Sequence, residues 1–199
     1  MNAIIVEADE SSGIILASQS PRRKQLLEWA EVPFKTVVKE TDESYPPHLS
    51  PEEISIHIAR NKALAVLKEH AFTKPVLSAD TIVVLEGRII GKPRDREEAI
   101  AILSALSGKQ HRVITGVTIL HGTKEIAFAD TTTVEFHDLS AEQIIFYIDK
   151  YKPYDKAGAY AIQEWIGVTG IKSVSGDFYN VMGLPVSRVV QELRKMGII

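Results

Sequence analysis

The chain contains no cysteine. That excludes a disulfide frame, a thiolate nucleophile and a thiolate zinc site, and makes a reducing compartment, the cytoplasm, the natural expectation. No segment approaches the apolar length of a membrane span. The first ten residues carry no basic stretch ahead of an apolar run, so neither an anchor nor a secretory leader is expected. Positive charge is not in surplus either. With 23 Lys and Arg against 26 Asp and Glu, the net charge is −3, whereas general affinity for nucleic acid calls for a basic face. Small anions remain as partners. No Gly-x-x-x-x-Gly-Lys-Ser/Thr loop, no Gly-x-Gly-x-x-Gly turn and no Gly-x-Ser-x-Gly elbow occurs, which argues against a P-loop nucleotidase, a dinucleotide fold and an α/β-hydrolase. The six histidines, His48, His57, His70, His111, His121 and His137, lack metal-ligand spacing and read as packing or surface residues. With no repeat, low-complexity tract or linker, 199 residues at 45% hydrophobic content are expected to form a single domain over residues 1–199 with a sizeable core.

What is present is a regular alternation of strand and helix signals, each with its own punctuation. Strand 14–18 leads to helix 20–30, and 33–38 reads as a second strand. A polar, proline-bearing loop over 40–47 then ends at Ser50-Pro51-Glu52-Glu53, a capping box that opens a helix to about residue 70. Strand 76–85 turns at Glu86-Gly87 into a return strand 88–90, and Asp95 caps a helix to Leu106 with Gly108 as its stop. Two long strands, 111–121 and 124–136, flank Gly122 as a hairpin, and Ser140 with Gln143 opens a helix to Tyr151. Residues 159–181 read as mostly extended, with a turn at Gly176-Asp177, and 185–196 as a closing helix. The class is α/β with a mixed sheet flanked by helices.

Chemistry is expected where polar residues interrupt apolar strands. The first strand breaks at Ser18, and Ser20-Pro21 then starts a helix whose first turn holds Arg22, Arg23 and Lys24. Ser20 is suited to accept from first-turn amides, and Pro21 fits the first helical position. Cations at the positive end of a helix dipole cost stability unless an anion joins them, so the segment reads as an anion site, with a solvated basic turn as the plainer alternative. Asp80 stands among Leu77, Ala79, Ile82 and Val83, where a carboxylate needs a cation, a metal or several donors. Lys92 follows the hairpin that begins at Asp80, and Lys62 lies within the helix opened at Ser50. Glu43 is the acid best placed to join Asp80 if its loop folds over the site. Hard oxygen ligands of this kind suit Mg²⁺ or Mn²⁺ with a polyphosphate.

Leu16-Ala17-Ser18-Gln19-Ser20-Pro21-Arg22-Arg23, Ala79-Asp80-Thr81, Gly91-Lys92-Pro93, Leu106-Ser107-Gly108, Asp155-Lys156-Ala157-Gly158-Ala159-Tyr160 and Gly183-Leu184-Pro185 occur in this order. The set resembles the Maf family of nucleoside triphosphate pyrophosphatases from residue 14 onward, leaving the first thirteen residues outside. The resemblance implies an elongated mixed sheet in two lobes, like that of the inosine triphosphate pyrophosphatases. It implies cleavage between the α- and β-phosphates with a divalent cation, Mg²⁺ or Mn²⁺, in a protein that is frequently a homodimer. By motif, Asp80 corresponds to the proton acceptor, and Arg22, Thr81 and Gln163 to positions tied to substrate choice. Ser18, Arg23, Lys62, Lys92 and Lys156 fall where the family has phosphate- and substrate-binding groups, and Glu43 with Asp80 where a metal would be held. Residues 155–163 resemble the branch acting on dTTP and UTP. The branch acting on 7-methyl-GTP, or a nucleotide-binding regulator of septum formation, are the alternatives.

Overall fold

The computed structural model describes residues 13–69 and 73–199. The N-terminal residues read above for a leader, and His70, lie outside the described residues. Seven strands, β1 (Ile14–Leu16), β2 (Phe34–Thr36), β3 (Val76–Leu85), β4 (Arg88–Ile90), β5 (Gln110–His121), β6 (Lys124–Phe136) and β7 (Ile171–Ser175), form one mixed sheet. Its order is β2-β1-β3-β5-β6-β7, with β4 folded back on β3. Among the described residues seven helices accompany it: α1 (Pro21–Trp29), α2 (Pro51–Glu69), α3 (Arg96–Leu106), α4 (Ala141–Tyr151), α5 (Trp165–Gly170), α6 (Phe178–Met182) and α7 (Val186–Lys195). Among the described residues no helix is long and apolar enough to cross a membrane.

Local chemistry accounts for most helix starts. Ser50 and Glu53 exchange bonds at the head of α2, with Ser50 N donating to Glu53 at 2.8 Å and Glu53 N to Ser50 Oγ at 3.3 Å. Ser140 and Gln143 do the same for α4, and Asp95 accepts from Glu98 N at 2.8 Å to start α3. Two expectations need correction. Ser20 makes no side-chain cap on α1; its N–H instead donates to Ser18 Oγ at 3.3 Å, so the first turn is tied back to the end of β1. Residues 159–181 are not mostly extended, because a 3-10 turn (Ala157–Ala159), α5 and α6 interrupt them and only β7 is strand. These pieces are shorter than two helical turns, and packing rather than periodicity holds them.

Alternation along β3 divides its side chains between two layers. Leu77, Ala79 and Val83 join the main core with Leu26, Leu103 and Leu184. On the opposite face, Val76 meets Ala63 and Val66 of α2. Consecutive residues Asp80 and Thr81 therefore face opposite sides of the sheet.

The two edges of β3 are unequal. β5 pairs with it from Val76↔Leu120 to Val84↔Arg112. On the other edge, the parallel neighbour β1 ends at Leu16↔Leu77 and β4 begins only at Val83↔Ile90. Among the described residues no strand covers the stretch between, and Asp80 and Thr81 lie in it. In open sheets with parallel strands, such a gap beyond a strand's carboxyl end is where ligands are held.

Candidate active site

Around this gap the structure brings Ser18, Arg22, Arg23, Glu43, Lys62, Asp80, Thr81 and Lys92 to the wall of one cleft of about 580 Å³. Lys156 lines a smaller inner recess that shares Ser20, Arg22, Arg23 and Thr81 with the cleft. Gln163 is exposed and lines neither.

On the α2 side, Lys62 Nζ lies 2.6 Å from Asp80 Oδ1 and 2.7 Å from Glu43 Oε1. One ammonium is thus shared by carboxylates from a strand and from the loop after β2. Burial raises the Glu43 carboxyl, but its bond to Lys62 and the charges of Lys62, Lys92 and Arg23 outweigh it and hold the group below its ordinary value. Lys62 is at this depth because α2 nearly touches the sheet. A Cβ on Gly116, the residue paired with Asp80, would sit 2.3 Å from the backbone of Ser55 and Ile56. Two turns further along α2 the lysine then reaches the carboxylate.

On the α1 side, Arg23 is buried and committed to the protein. Its Nε donates to Gly183 O at 2.7 Å, Nη1 to Ser18 Oγ at 3.0 Å and Nη2 to Thr81 Oγ1 at 3.0 Å. Burial lowers its pKa to about 10 against the opposing pull of Asp80. A solvated cation at the positive end of a helix is therefore the wrong description of Arg23; it is a cross-brace between β1, β3 and the loop before α7. Arg22 fits the anion-site reading better. It faces the cleft and its side chain donates to Asp155 at 3.2 Å.

Asp155 bridges Arg22 and Lys156, with Lys156 Nζ at 2.7 Å. Burial raises its carboxyl, and the bond and charge of Lys156 with those of Arg22 bring it below the usual value. Lys156 is itself buried and also lies 3.6 Å from Glu164. Glu164 in turn accepts from Tyr147 Oη, which takes the Ala161 N–H at 3.1 Å. A carboxylate thus rests on two of the site's cations, where a phosphate would compete for them.

Beside Arg22, Arg23, Thr81 and Lys156, the inner recess is lined by Val83, Val113, Tyr160, Val181 and Met182. Tyr160 is kept by a 2.7 Å bond to the buried His111. Three residues behind this region were not singled out from the sequence: Thr115, Gly116 and Asn180. Thr115-Gly116 breaks the apolar run of β5 directly opposite Asp80-Thr81, which was the available signal. Asn180 left none, since one Asn in an irregular segment is unremarkable.

The profile of the Maf-like protein family matches residues 13–196. A dTTP/UTP pyrophosphatase of Cytophaga hutchinsonii is 50% identical over 186 residues, 94% of this chain and 85% of that protein. The dTTP/UTP pyrophosphatase of Parabacteroides distasonis is 49% identical over 182 residues, 91% of this chain and 94% of that protein. Among solved structures, the Ham1 protein of Staphylococcus aureus aligns over 91% of this chain and 100% of its own with a TM-score of 0.49 and 19% identity. With half of its residues shared with such relatives over nearly their whole length, the chain belongs to the Maf-like protein family.

Proposed function

We propose that the protein hydrolyses nucleoside triphosphates, dTTP and UTP before others, to the monophosphate and pyrophosphate. One observation carries the reading: a cleft lined by Arg22, Arg23, Lys62 and Lys92 contains two carboxylates drawn together on the Lys62 ammonium. Such a cleft suits a polyanion and keeps a base beside it. Phosphoryl transfer needs positioning and charge neutralisation more than covalent chemistry. Arg22, Lys92 and Lys156 take up the phosphates, Asp155 yielding its two cations to them. Water adds across the α–β anhydride, its proton passes to Asp80, and pyrophosphate leaves. The relatives named above are dTTP/UTP pyrophosphatases, which supports the choice of bond and of base.

The two carboxylates also suit Mg²⁺ or Mn²⁺. Glu43 and Asp80 each place an oxygen within 2.7 Å of one point, the Lys62 nitrogen, and such cations are held by one or two carboxylates with the remaining ligands from phosphate and water. Bound by these residues, the ion would neutralise charge on the triphosphate. The base is assigned to the inner recess, where Val83, Val113, Val181 and Met182 offer apolar contact beside Arg22 and Lys156. Thr81 and Arg22 stand at its mouth, and Gln163 is exposed at the turn after it. A homodimer working in the cytoplasm completes the proposal, with light scattering on the purified protein as its check.

The test is a screen of standard and modified nucleoside triphosphates with Mg²⁺ or Mn²⁺, measuring pyrophosphate and orthophosphate separately. Pyrophosphate without orthophosphate, fastest from dTTP and UTP, is the expected result. Faster release from 7-methyl-GTP than from UTP overturns the base assignment. Orthophosphate as the only product overturns the reaction, and retention of nucleotide without turnover marks a binding protein.

A further inference from the structure

Behind the inner recess a buried chain of hydrogen bonds crosses the sheet. Arg23 Nη2 donates to Thr81 Oγ1 at 3.0 Å, and Thr81 Oγ1 lies 2.9 Å from Thr115 Oγ1 on β5. Thr115 Oγ1 donates to Asn180 O at 3.1 Å. The Asn180 amide nitrogen donates to Val113 O and to Thr132 Oγ1 on β6, both at 3.0 Å. Thr132 Oγ1 closes the chain on Asp177 O at 2.9 Å. Thr115, Thr132 and Asn180 are 0% exposed, so the three bonds that Asn180 makes to Thr115, Val113 and Thr132 lie where water cannot replace them, while Thr81 at the cleft end is partly buried.

The chain grips one element in particular. α6 is held from below through Asn180, at its start through Asp177, and at its end by Arg23 Nε on Gly183 O at 2.7 Å. Val181, Met182 and Gly183 are the residues of this element that wall the recess, and Val113, to which Asn180 is bonded, is on its wall as well. A helix of five residues has little stability of its own. Its position follows from these bonds.

We infer that Asn180 and Thr115 are positioning residues for nucleotide selectivity, holding the α6 wall of the recess in place where the base meets it. The inference rests on the recess taking the base. Neither residue touches the Lys62–Asp80–Glu43 cluster, which lies on the opposite face of β3, so their loss falls on binding and selectivity before it falls on the chemical step.

Steady-state kinetics on UTP and ATP test this, accompanied by melting curves and by binding of non-hydrolysable α,β-methylene UTP. Thr115→Val keeps shape but removes the hydroxyl, and Asn180→Ala removes the amide. In each, KM for UTP is expected to rise roughly tenfold, kcat to change by no more than about threefold, and the preference for UTP over ATP to shrink roughly tenfold. Thr115→Ser, which restores the hydroxyl, is expected to return KM to within about twofold. Thr132→Val supplies the same test from the far end if Asn180→Ala does not fold. An unchanged KM and preference in folded Thr115→Val, or a fall in kcat alone, overturns the inference. So does failure of Thr115→Ser to recover. Where wild-type protein binds the analogue without hydrolysing UTP, the catalytic reading is overturned, and the inference stands if Thr115→Val weakens analogue binding roughly tenfold and falls if it does not; wild-type protein that binds no nucleotide overturns both.

Discussion

Asp80 is paired across the sheet with Gly116, and the missing side chain of the second lets the first be reached. The backbone of Ser55 and Ile56 occupies the space a Cβ would take, at 2.3 Å, and backbone cannot swing aside as a side-chain end can. Gly116→Ala therefore pushes α2, with Lys62, away from Asp80. Expected are a stability loss of about 1–3 kcal/mol and a lower kcat/KM, seen in thermal melts and steady-state rates. A variant that melts and turns over like wild type would show that α2 is not seated on this residue.

Asp80→Asn should fold, because Lys62 keeps Glu43 as its ionic partner at 2.7 Å. Turnover should drop by about 10² to 10⁴, the range for removing a positioned base. Lys62→Ala is different in kind. It leaves two carboxylates facing one another, so lost activity comes with a lower melting temperature, and added Mg²⁺ should recover part of that temperature. Activity within a few-fold of wild type in Asp80→Asn would remove Asp80 from the chemistry.

The adjacent arginines should separate cleanly. Arg22→Ala removes one exposed bond, to Asp155, and relieves positive charge at the head of α1, so melting stays level or rises slightly while nucleotide use weakens. Arg23→Ala strips buried acceptors at Ser18, Thr81 and Gly183. A stability loss of about 2–4 kcal/mol should accompany its loss of activity. Equal melting temperatures for the two variants would contradict the cross-brace assigned to Arg23.

His111 makes folding sensitive to mild acid. Burial lowers its pKa to about 4 from an ordinary 6.5. The unfolded chain therefore binds a proton that the folded chain refuses between these values. Stability falls as pH drops through that window, by on the order of 3 kcal/mol in full. Glu43 acts in the same direction at lower pH: its depressed pKa contributes stability above the ordinary carboxylate range that is lost as pH falls below it. Melting from pH 7 to pH 5 should show the first effect, and His111→Asn should flatten it. A wild-type melting temperature independent of pH across this interval would refute the assignment.

Interactions between near neighbours in sequence were legible without the fold. The caps at Ser50 with Glu53, at Asp95 and at Ser140 with Gln143 are three-residue contacts whose geometry depends on the backbone alone. The long hairpin around Gly122 and the turn at Glu86-Gly87 are of the same kind, each set by a glycine at positive φ. An acid among apolar strand residues announced that Asp80 needs a partner, because an unpaired buried charge is costly in any fold.

Which partner it finds, only the tertiary structure decided. Asp80 and Lys62 are 18 residues apart and Arg22 and Asp155 are 133 apart; pairing at such separations depends on how layers stack, which no local pattern records. The sequence equally could not separate Arg22 from Arg23, since the difference between a cleft cation and a buried brace is the identity of what α1 rests on. Nor could it place α5 and α6, which are too short for a helical period to show and exist because Ile166, Asn180 and Met182 are buried. Short-range hydrogen bonding and side-chain solvation are properties of the chain itself. The meeting of Lys62 with Asp80 and of Thr115 with Asn180 arises from close packing across layers, where one absent Cβ at Gly116 brings a helix within reach of a strand.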